Sequence, residues 1–436
     1  MTDIKSTTKD GRISIYKYGT DKFKSENISL FLAVPPKREA SVARALLLSV
    51  LKRGTEKYPS QREINERLDE LYATLVNFKN QKFDGLQLLG LSADIIRAPY
   101  LEGGEELLPD VLEVMGEMLF HPAMDEKTGT FFEEYVKSEK ENYKSIINSQ
   151  INEPRTYAAI RCREEMFDSL GVIDRLESMN ERIDALSARA LFEEYQYVIN
   201  NAKIIVFYVG ERELDEIYGE VERILPSGVG NDLEIFEKSI KLLENTKAPN
   251  EIIEDFPVCQ GRLIMGFNCR TTWSDEDYCA MLLCNEILGA SPISKLFMKI
   301  REAMSLCYEC SSVYNSARGA IIVTTGIDSD DFELCKDAIS EQVGAMQRGD
   351  ISDSEFIAAK KSVINVYSAL KDSPSAIEKF YLGRVIHNID SELANFIDKF
   401  NSLTKEDVVR CAKSLSLHTV YFLRGDGSVE EECDDE

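Results

Sequence analysis

Histidine is the commonest metal ligand in proteins, and this 436-residue chain has three histidines, His121, His387 and His418. A catalytic zinc needs three protein ligands and an open position for water, whose pKa it lowers to about 7. No two of these histidines stand at the H-x-x-x-H spacing that would bring two imidazoles together on a helix. His121 follows Glu117 by four residues, but Pro122 comes next and predicts a helix end, where the helix dipole favours a histidine. The histidines therefore do not predict a zinc site.

Cysteines offer the other metal-binding spacing, a C-x-x-C at Cys307 and Cys310. One such pair without a second is a weak zinc signal. Alternation along a strand would point residues three apart to opposite faces, so we expect the two sulfurs to share no site. Five of the ten cysteines lie among apolar neighbours and are expected to be small buried residues with reduced thiols: Cys259, Cys279, Cys284, Cys307 and Cys335.

The charge of the chain excludes other functions. A net charge of −25 repels phosphate backbones, so we expect no nucleic-acid partner. Basic or neutral peptides and other proteins fit better, although solubility alone also explains the charge.

The sequence contains no phosphate-binding loop, dinucleotide fingerprint or nucleophile elbow, so no cofactor is expected. Its first ten residues are polar, and no run approaches the roughly 18 apolar residues of a membrane helix. These features predict a cytoplasmic protein without a membrane partner.

The elements that must position any site recur along the chain. Residues 48–54 resemble residues 283–289, and residues 203–210 resemble residues 418–425, with other anchors in the same order between them. The offset falls steadily, from 235 between Gly54 and Gly289 to 215 between Gly210 and Gly425. A duplication with a few short insertions in the first half would leave this drift, whereas chance matches would scatter.

Each half combines strand and helix patterns. β-Branched and other apolar runs predict strands at 28–34, 87–91, 262–267 and 321–326. Helical periodicity and charge predict helices at 107–119, 130–148, 332–346 and 354–370. The order predicts an α+β fold of two homologous domains, each an antiparallel or mixed sheet with helices packed on one face.

Composition gives the expected boundaries. The first domain spans 1–225 and the second spans 258–428. Proline, glycine and charge mark 226–257 as a linker between the two domains. The acidic tail, 429–436, is expected to be disordered because its like charges repel one another.

An apolar helix pattern over 42–51 runs into Gly54-Thr55. It resembles the active-site helix of the insulinase–pitrilysin zinc peptidases, which carry H-x-x-E-H just ahead of such a Gly-Thr. Ala45, Leu48 and Ser49 stand at the three matching positions, so both imidazoles and the carboxylate that would activate water are missing. Core packing is the simpler role for these residues, because burying a leucine gains roughly 1.5–3 kcal/mol.

A second pattern supports the resemblance. Residues 288–308 read LGxxxxSxLFxxIRExxxLxY, which recurs in the second domain of that family. The resemblance covers nearly the whole chain and implies the short, two-domain branch, in the catalytically silent group associated with elongation-factor-P modification. The family's third zinc ligand, a glutamate on a later helix, is replaced at Ser145 and Ile146.

The same resemblance implies roles for Arg301 and Tyr308. In the family, an arginine and a tyrosine at this place reach from a second-half domain to the zinc site of an opposing first-half domain. There they hold the substrate backbone and the developing oxyanion, for which guanidinium and phenol groups are suitable donors. The alternative is structural: Arg301 pairs with a nearby carboxylate and Tyr308 fills a strand position.

Three functions follow from these observations. The first is a non-catalytic subunit that pairs with an active zinc peptidase homologue to form a peptide-binding chamber, to which it contributes Arg301 and Tyr308. The second is a stand-alone module, a homodimer or monomer, that holds a peptide or a protein client. The least favoured is an active zinc metallopeptidase with unusual ligands.

Overall fold

The structure of the protein, a computed structural model, describes residues 4–9, 11–83, 85–171, 173–230, 241–387, 389 and 392–425. The predicted acidic tail, 429–436, lies outside the described residues. Within the described part of the chain, no helix combines the length and the apolar character that a membrane span requires.

The first half of the chain begins with strands and then alternates helices with short strands. Its strands are β1 (Ile4–Lys9), β2 (Ile13–Gly19), β3 (Ser25–Val34), β4 (Leu75–Phe83), β5 (Leu86–Ile96), β6 (Met124–Asp125), β7 (Thr130–Phe131) and β8 (Lys203–Gly210). Its helices are α1 (Ser41–Leu51), α2 (Gln61–Glu70), α3 (Leu108–Phe120), α4 (Glu133–Ile151), α5 (Pro154–Phe167), α6 (Leu176–Ala185), α7 (Ala188–Asn201) and α8 (Leu214–Ile224).

The second half repeats this alternation. Its strands are β9 (Asn250–Phe256), β10 (Gly261–Asn268), β11 (Cys307–Asn315), β12 (Ala320–Ile327) and β13 (Ser416–Gly425). Its helices are α9 (Tyr278–Asn285), α10 (Phe332–Arg348), α11 (Asp353–Ser368), α12 (Pro374–Ile386), α13 (Leu393–Ser402) and α14 (Lys405–Ser414). Two π-helical segments, Glu286–Ala290 and Phe297–Ala303, lie between α9 and β11.

The strands form two mixed sheets with matching connections. The first sheet has the order β1-β2-β8-β3-β5-β4 and the second has the order β11-β12-β10-β13-β9. Within the first sheet only β2 and β8 run parallel, and within the second only β9 and β13 do, among the pairings that the structure describes. The two sheets therefore match strand for strand, with β1 as an addition to the first. This repetition confirms the predicted α+β fold and its internal duplication.

Most predicted elements lie where the sequence placed them, and two differ. The helix expected over 130–148 begins at Glu133, because Thr130–Phe131 pairs as a short strand with Met124–Asp125. The stretch expected to be a linker, 226–257, ends in β9, which adds to the second sheet beside β13. The alternating exposed and half-buried residues of β9 fit the edge of a sheet.

The chain divides into two compact units that exchange segments. One unit contains residues 1–145, 178–239 and 369–392, and the other contains 146–177, 240–368 and 393–436. Helix α5, from the first half, packs on β10 and β13 of the second sheet, while α12, from the second half, packs on β8, β2 and β3. The units therefore differ from the continuous stretches 1–225 and 258–428, because each half contributes a helix to the other sheet.

The exchanged helices explain why the central strands are so apolar. Every residue of β8 is buried, and so is every residue of β3 after Ser25. Because neighbouring residues of a strand face opposite sides, complete burial means that both faces of the sheet are covered. The sequence predicted helices on one face only, and the helix that covers the face of Ser29 comes from the other half of the chain.

Helix α12 is joined to the first sheet through a buried carboxylate. Glu378, 1% exposed, accepts a hydrogen bond from Ser29 Oγ at 2.5 Å, and Lys79 Nζ lies 2.8 Å from each of its carboxylate oxygens. The Lys79 ammonium also lies 6.0 Å from the centre of the Phe31 ring. A buried charge is tolerated only when it is paired in this way.

Helix α5 is joined to the second sheet by a comparable network. Tyr157 and Tyr421 each donate a hydrogen bond of 2.6 Å to Glu254 on β9, and Arg161 lies 3.5 Å from the same carboxylate. Burial of Glu254 raises its pKa, but the hydrogen bonds from the two tyrosines and the charge of Arg161 outweigh burial and leave the pKa below its usual value. Both exchanged helices thus combine apolar packing with a specific polar anchor.

Removing the anchor of α12 is expected to destabilise the protein strongly. We expect Glu378→Ala to lower the free energy of unfolding by about 3–5 kcal/mol, because it leaves Lys79 as an unpaired, largely buried charge. Replacing both Lys79 and Glu378 by methionine should recover much of this loss, since an apolar pair needs no compensation. Urea denaturation followed by circular dichroism measures each variant.

The matched control is Lys379→Ala, an exposed neighbour on the same helix, which should change stability by at most about 0.5 kcal/mol. If Glu378→Ala were as stable as this control, the buried pair would not hold the exchanged helix in place.

Candidate functional site

Helix α1 is packed as a structural element. Leu46, Leu47, Leu48 and Val50 are buried, and the helix contacts α7 together with β4 and β5. Leu48 is 7% exposed, while Ala45 and Ser49 on the same stretch are half-buried. The structure therefore places all three positions of the missing motif on one helix, where they carry a methyl, an isobutyl and a hydroxyl group.

The turn after α1 is built around Gly54 and Thr55. A Cβ atom on Gly54 would lie 2.4 Å from the Pro59 carbonyl oxygen, so no other residue fits without a backbone shift. The Thr55 N–H donates to the Tyr58 carbonyl oxygen at 2.7 Å, and Thr55 also forms a bridge to Pro122 after α3. This turn joins the ends of α1 and α3 and needs no metal.

An ion pair joins α1 to α4, where the third zinc ligand of the family would lie. Arg53 pairs with Glu139 of α4 and donates a hydrogen bond of 2.7 Å to Ser138 Oγ. Arg53 lies in the turn directly after α1, four residues beyond Ser49. A guanidinium therefore engages a carboxylate of α4 that a cation could otherwise use.

The positions on α4 that match the family's third zinc ligand carry no carboxylate. Glu141 pairs with Lys144 at 3.6 Å, and Ser145 and Ile146 are exposed. Among the residues that the structure describes, no group of three or more histidine, cysteine or acidic side chains could hold a metal ion. The residues around α1 thus do not fit a zinc ion, which needs imidazole, thiolate or carboxylate ligands in a tetrahedral arrangement.

Sequence reasoning missed Arg44, which is fully buried within the apolar helix α1. Its Nε donates to Glu194 at 2.7 Å, and its Nη1 donates to the Pro35 carbonyl oxygen at 2.7 Å and to Gln87 at 2.9 Å. These bonds join α1 to α7 and to β5. The single charge in SVARALLLSVL was the only signal, and its partners are too distant in sequence to identify.

Arg301 and Tyr308 lie at the edge of the second sheet. Arg301 lies within the π-helical segment Phe297–Ala303, where its guanidinium lies 4.6 Å from the centre of the Phe297 ring and 3.8 Å from the Glu302 carboxylate. Tyr308 lies on β11, the first strand of the sheet, and is 78% exposed. The two side chains are thus close in sequence and open to solvent, with a weak ion pair at Arg301.

Cys307 and Cys310 lie on one face of β11, so the prediction of opposite faces was wrong. Cys307 is opposite Ile327 and Cys310 is opposite Thr325, so three steps along β11 match two along β12. This is a β-bulge, and its extra residue reverses the alternation. Both side chains are turned inward, at 9% and 4% exposure.

Of the other predicted residues, His121 lies beside the turn after α1, where its carbonyl oxygen accepts a 2.8 Å hydrogen bond from the Glu56 N–H. His121 follows the last turn of α3, as predicted, and His418 Nδ1 lies 2.8 Å from Thr419 Oγ1. Burial lowers the pKa of His418, which keeps its imidazole neutral. Cys259 was expected to be a buried, reduced thiol but is exposed and disulfide-bonded, and it lies in the connection between β9 and β10 rather than in a strand.

Part of the sequence matches a known family, and the whole fold matches known structures. Residues 185–363 match the family described as Peptidase M16 inactive domain. Three solved structures have the same fold over at least 97% of this chain and at least 98% of their own. A conserved protein from Enterococcus faecalis matches with a TM-score of 0.88 and 24% identity. A protease from Helicobacter pylori matches with a TM-score of 0.78 and 13% identity, and a peptidase M16 inactive domain from Pseudomonas fluorescens with a TM-score of 0.75 and 15% identity. The predicted two-domain peptidase fold is confirmed.

Two proteins of Bacillus subtilis are similar in sequence. The chain is 27% identical over 430 residues to the probable inactive metalloprotease YmfF, covering 98% of both proteins. It is 22% identical over 311 residues to the uncharacterized zinc protease YmxG, covering 70% of this chain and 72% of that protein. With Ala45, Leu48 and Ser49 at the motif positions, the chain is similar to a probable inactive metalloprotease over nearly its whole length.

Restoring the carboxylate of the motif should destabilise the helix rather than create a site. We expect Leu48→Glu to lower the free energy of unfolding at pH 7 by about 3 kcal/mol or more, because the new carboxyl group is buried without a partner. Burial raises the pKa of that group in the folded state, so the folded state binds its proton more tightly. The loss should therefore be small below about pH 4 and grow as pH rises.

Thermal unfolding between pH 4 and pH 8 measures this effect, and Leu48→Met is the control, expected to cost less than about 1.5 kcal/mol. Equal stability of the two variants at pH 7, or a rise in the melting temperature of Leu48→Glu on adding zinc, would contradict the packing role of residue 48.

Proposed function

We propose that this protein is a non-catalytic subunit that pairs with a metal-bearing M16 peptidase homologue and helps to form a peptide-binding chamber. The exposure of Arg301 and Tyr308 is the observation that carries the proposal. Tyr308 is 78% exposed, and the Arg301 side chain is 41% exposed. A strand residue placed only for packing would not present a whole phenol ring to solvent, so both groups are available to a second molecule.

The surroundings of these residues support contact with another protein. Large apolar side chains are exposed on the same stretch of the second sheet and the segment before it: Ile293, Met298, Met304 and Val313. In the described part of the sheet β11 pairs only with β12, so its outer edge keeps free backbone N–H and C=O groups. Apolar side chains beside an open strand edge are features that protein partners and extended peptides use.

Division of labour explains why donors remain where metal ligands are lost. Arg301 offers a charged, planar group of N–H donors, and Tyr308 offers one O–H donor. Both can stabilise negative charge that develops on a substrate oxygen, but neither can activate water without a metal. The partner would supply the metal, and similarity to a relative named as a zinc protease supports a homologue of that class.

Co-expression with such a homologue, followed by cleavage of an unfolded peptide, tests the proposal. In the complex we expect Arg301→Ala and Tyr308→Phe each to lower kcat/KM by about 100- to 1,000-fold, the range for one transition-state donor. Lys299→Ala removes the same charge from an exposed neighbour and should leave the rate within about twofold.

Two results would reject the assignment of these residues: an unchanged rate in both variants, or equal losses in Lys299→Ala. Native mass spectrometry of each complex keeps loss of pairing separate from loss of catalysis.

A stand-alone module is the second candidate, and the net charge of −25 favours a basic client for it. Size-exclusion chromatography with light scattering tests this function. A stable homodimer that does not bind the metal-bearing homologue would favour it. Stoichiometric zinc in the purified protein would instead support an active metallopeptidase. Membership of the silent group associated with elongation-factor-P modification and a cytoplasmic location both stay predictions.

A further inference from the structure

The bulge in β11 places two buried cysteines on one face of the strand, on either side of an exposed residue. Three residues of a regular strand would separate Cys307 and Cys310 onto opposite faces, but the bulge turns both toward the interior. The two side chains therefore lie side by side on the inner face of the strand. Tyr308 and Glu309 form the short connection between them. Glu309 is fixed by Arg155 at 2.8 Å, and its carbonyl oxygen accepts a 2.7 Å hydrogen bond from Thr325.

The environment distinguishes Cys307 from the other buried thiols. Hydrogen bonding with Cys310, then with Thr325, and the charge of Arg301 lower the pKa of Cys307, while burial and Glu309 act in the opposite direction. In five other cysteines burial is the largest influence and raises the pKa of the thiol: Cys162, Cys269, Cys284, Cys335 and Cys411. Thiolate is the reactive form of cysteine, so Cys307 is the nucleophile of the pair.

We propose that Cys307 and Cys310 are a reversible dithiol–disulfide site that hydrogen peroxide oxidises. Both sulfurs are at most 9% exposed, which favours a small oxidant over a bulky disulfide. The site acts within one chain, on one strand, and the proposal is independent of any partner subunit. Because Tyr308 lies between the two cysteines, the bond closes a small ring that includes the Tyr308 backbone and carries its exposed phenol as a side chain.

The chemistry balances in two steps. The Cys307 thiolate attacks one peroxide oxygen, the O–O bond breaks, and the released hydroxide takes a proton to leave as water, which gives a sulfenic acid on Cys307. The Cys310 sulfur then attacks the sulfenic sulfur, the S–O bond breaks, and a second water leaves with the thiol proton. The two thiols lose two electrons and two protons in total, and peroxide is reduced to two waters. A dithiol reductant reverses the bond by exchange.

Peptide mapping tests the site directly. Trypsin should release residues 302–318, which contain Cys307, Cys310 and no other cysteine. We expect this peptide from peroxide-treated full-length protein to have lost two hydrogens and to resist N-ethylmaleimide. Dithiothreitol should restore labelling at both cysteines. Met304, 43% exposed in the same peptide, reports whether the oxidant reached this surface.

Variants assign the roles. Cys310→Ala should stop the reaction at a sulfenic acid on Cys307 that dimedone traps. It should also slow alkylation of Cys307 at pH 7 about tenfold or more, because loss of the hydrogen bond raises the pKa of Cys307. Cys335→Ser, a buried neighbour on α10, should form the same disulfide as the unchanged protein. Two outcomes overturn the proposal: a peptide that keeps two alkylated cysteines after Met304 is oxidised, or a disulfide from either cysteine to Cys335.

Discussion

The burial of both faces of each sheet is the constraint on which the rest of this structure depends. A duplicated half with helices on one side would leave the other face of β3 and β8 to water, and these strands carry almost no polar side chains toward solvent. A helix from the other half covers that face in each unit. Glu378 on α12 and Glu254 beside α5 show how the covering is made specific. A carboxylate that loses water must find defined donors, and Ser29, Lys79, Tyr157 and Tyr421 supply them.

The contacts that hold α1 in the fold do not depend on the residues that would carry out hydrolysis. Helix α1 is held by Leu46, Leu47 and Leu48 within the core and by the buried Arg44, whose hydrogen bonds run to α7 and β5. Arg53 and Glu139 connect the end of α1 to α4 through opposite charges. Each of these contacts works without a metal ion, so substitution of the motif residues removes hydrolysis and leaves the framework intact. Leucine at position 48 also buries apolar surface that a catalytic glutamate would not bury.

Local patterns in the sequence predicted much of the fold, and long-range pairings account for the remainder. The apolar runs in β3 and β10 and the periodicity of α3 and α10 identify those elements because burial of one face or both faces leaves a direct signature. No such pattern in the sequence indicates which sheet α5 and α12 pack on. Glu378 and Lys79 are 299 residues apart, and each alone resembles an ordinary surface charge. The positions of Ala45, Leu48 and Ser49 were readable because a motif fixes their spacing, whereas Arg44 was not.

The C-x-x-C pair shows the limit of a residue-by-residue reading most clearly. Strand alternation is a property of regular pairing, and the register between β11 and β12 shifts at this point. The shift is a property of the pairing of Cys307 with Ile327 and of Cys310 with Thr325. The identities of the two cysteines do not determine that pairing. The bulge has a second effect, since an edge strand that bends cannot continue a flat sheet and is protected from unspecific pairing. The same irregularity that turns two thiols inward therefore leaves Tyr308 turned outward, at the edge where a partner or a peptide would meet the second sheet.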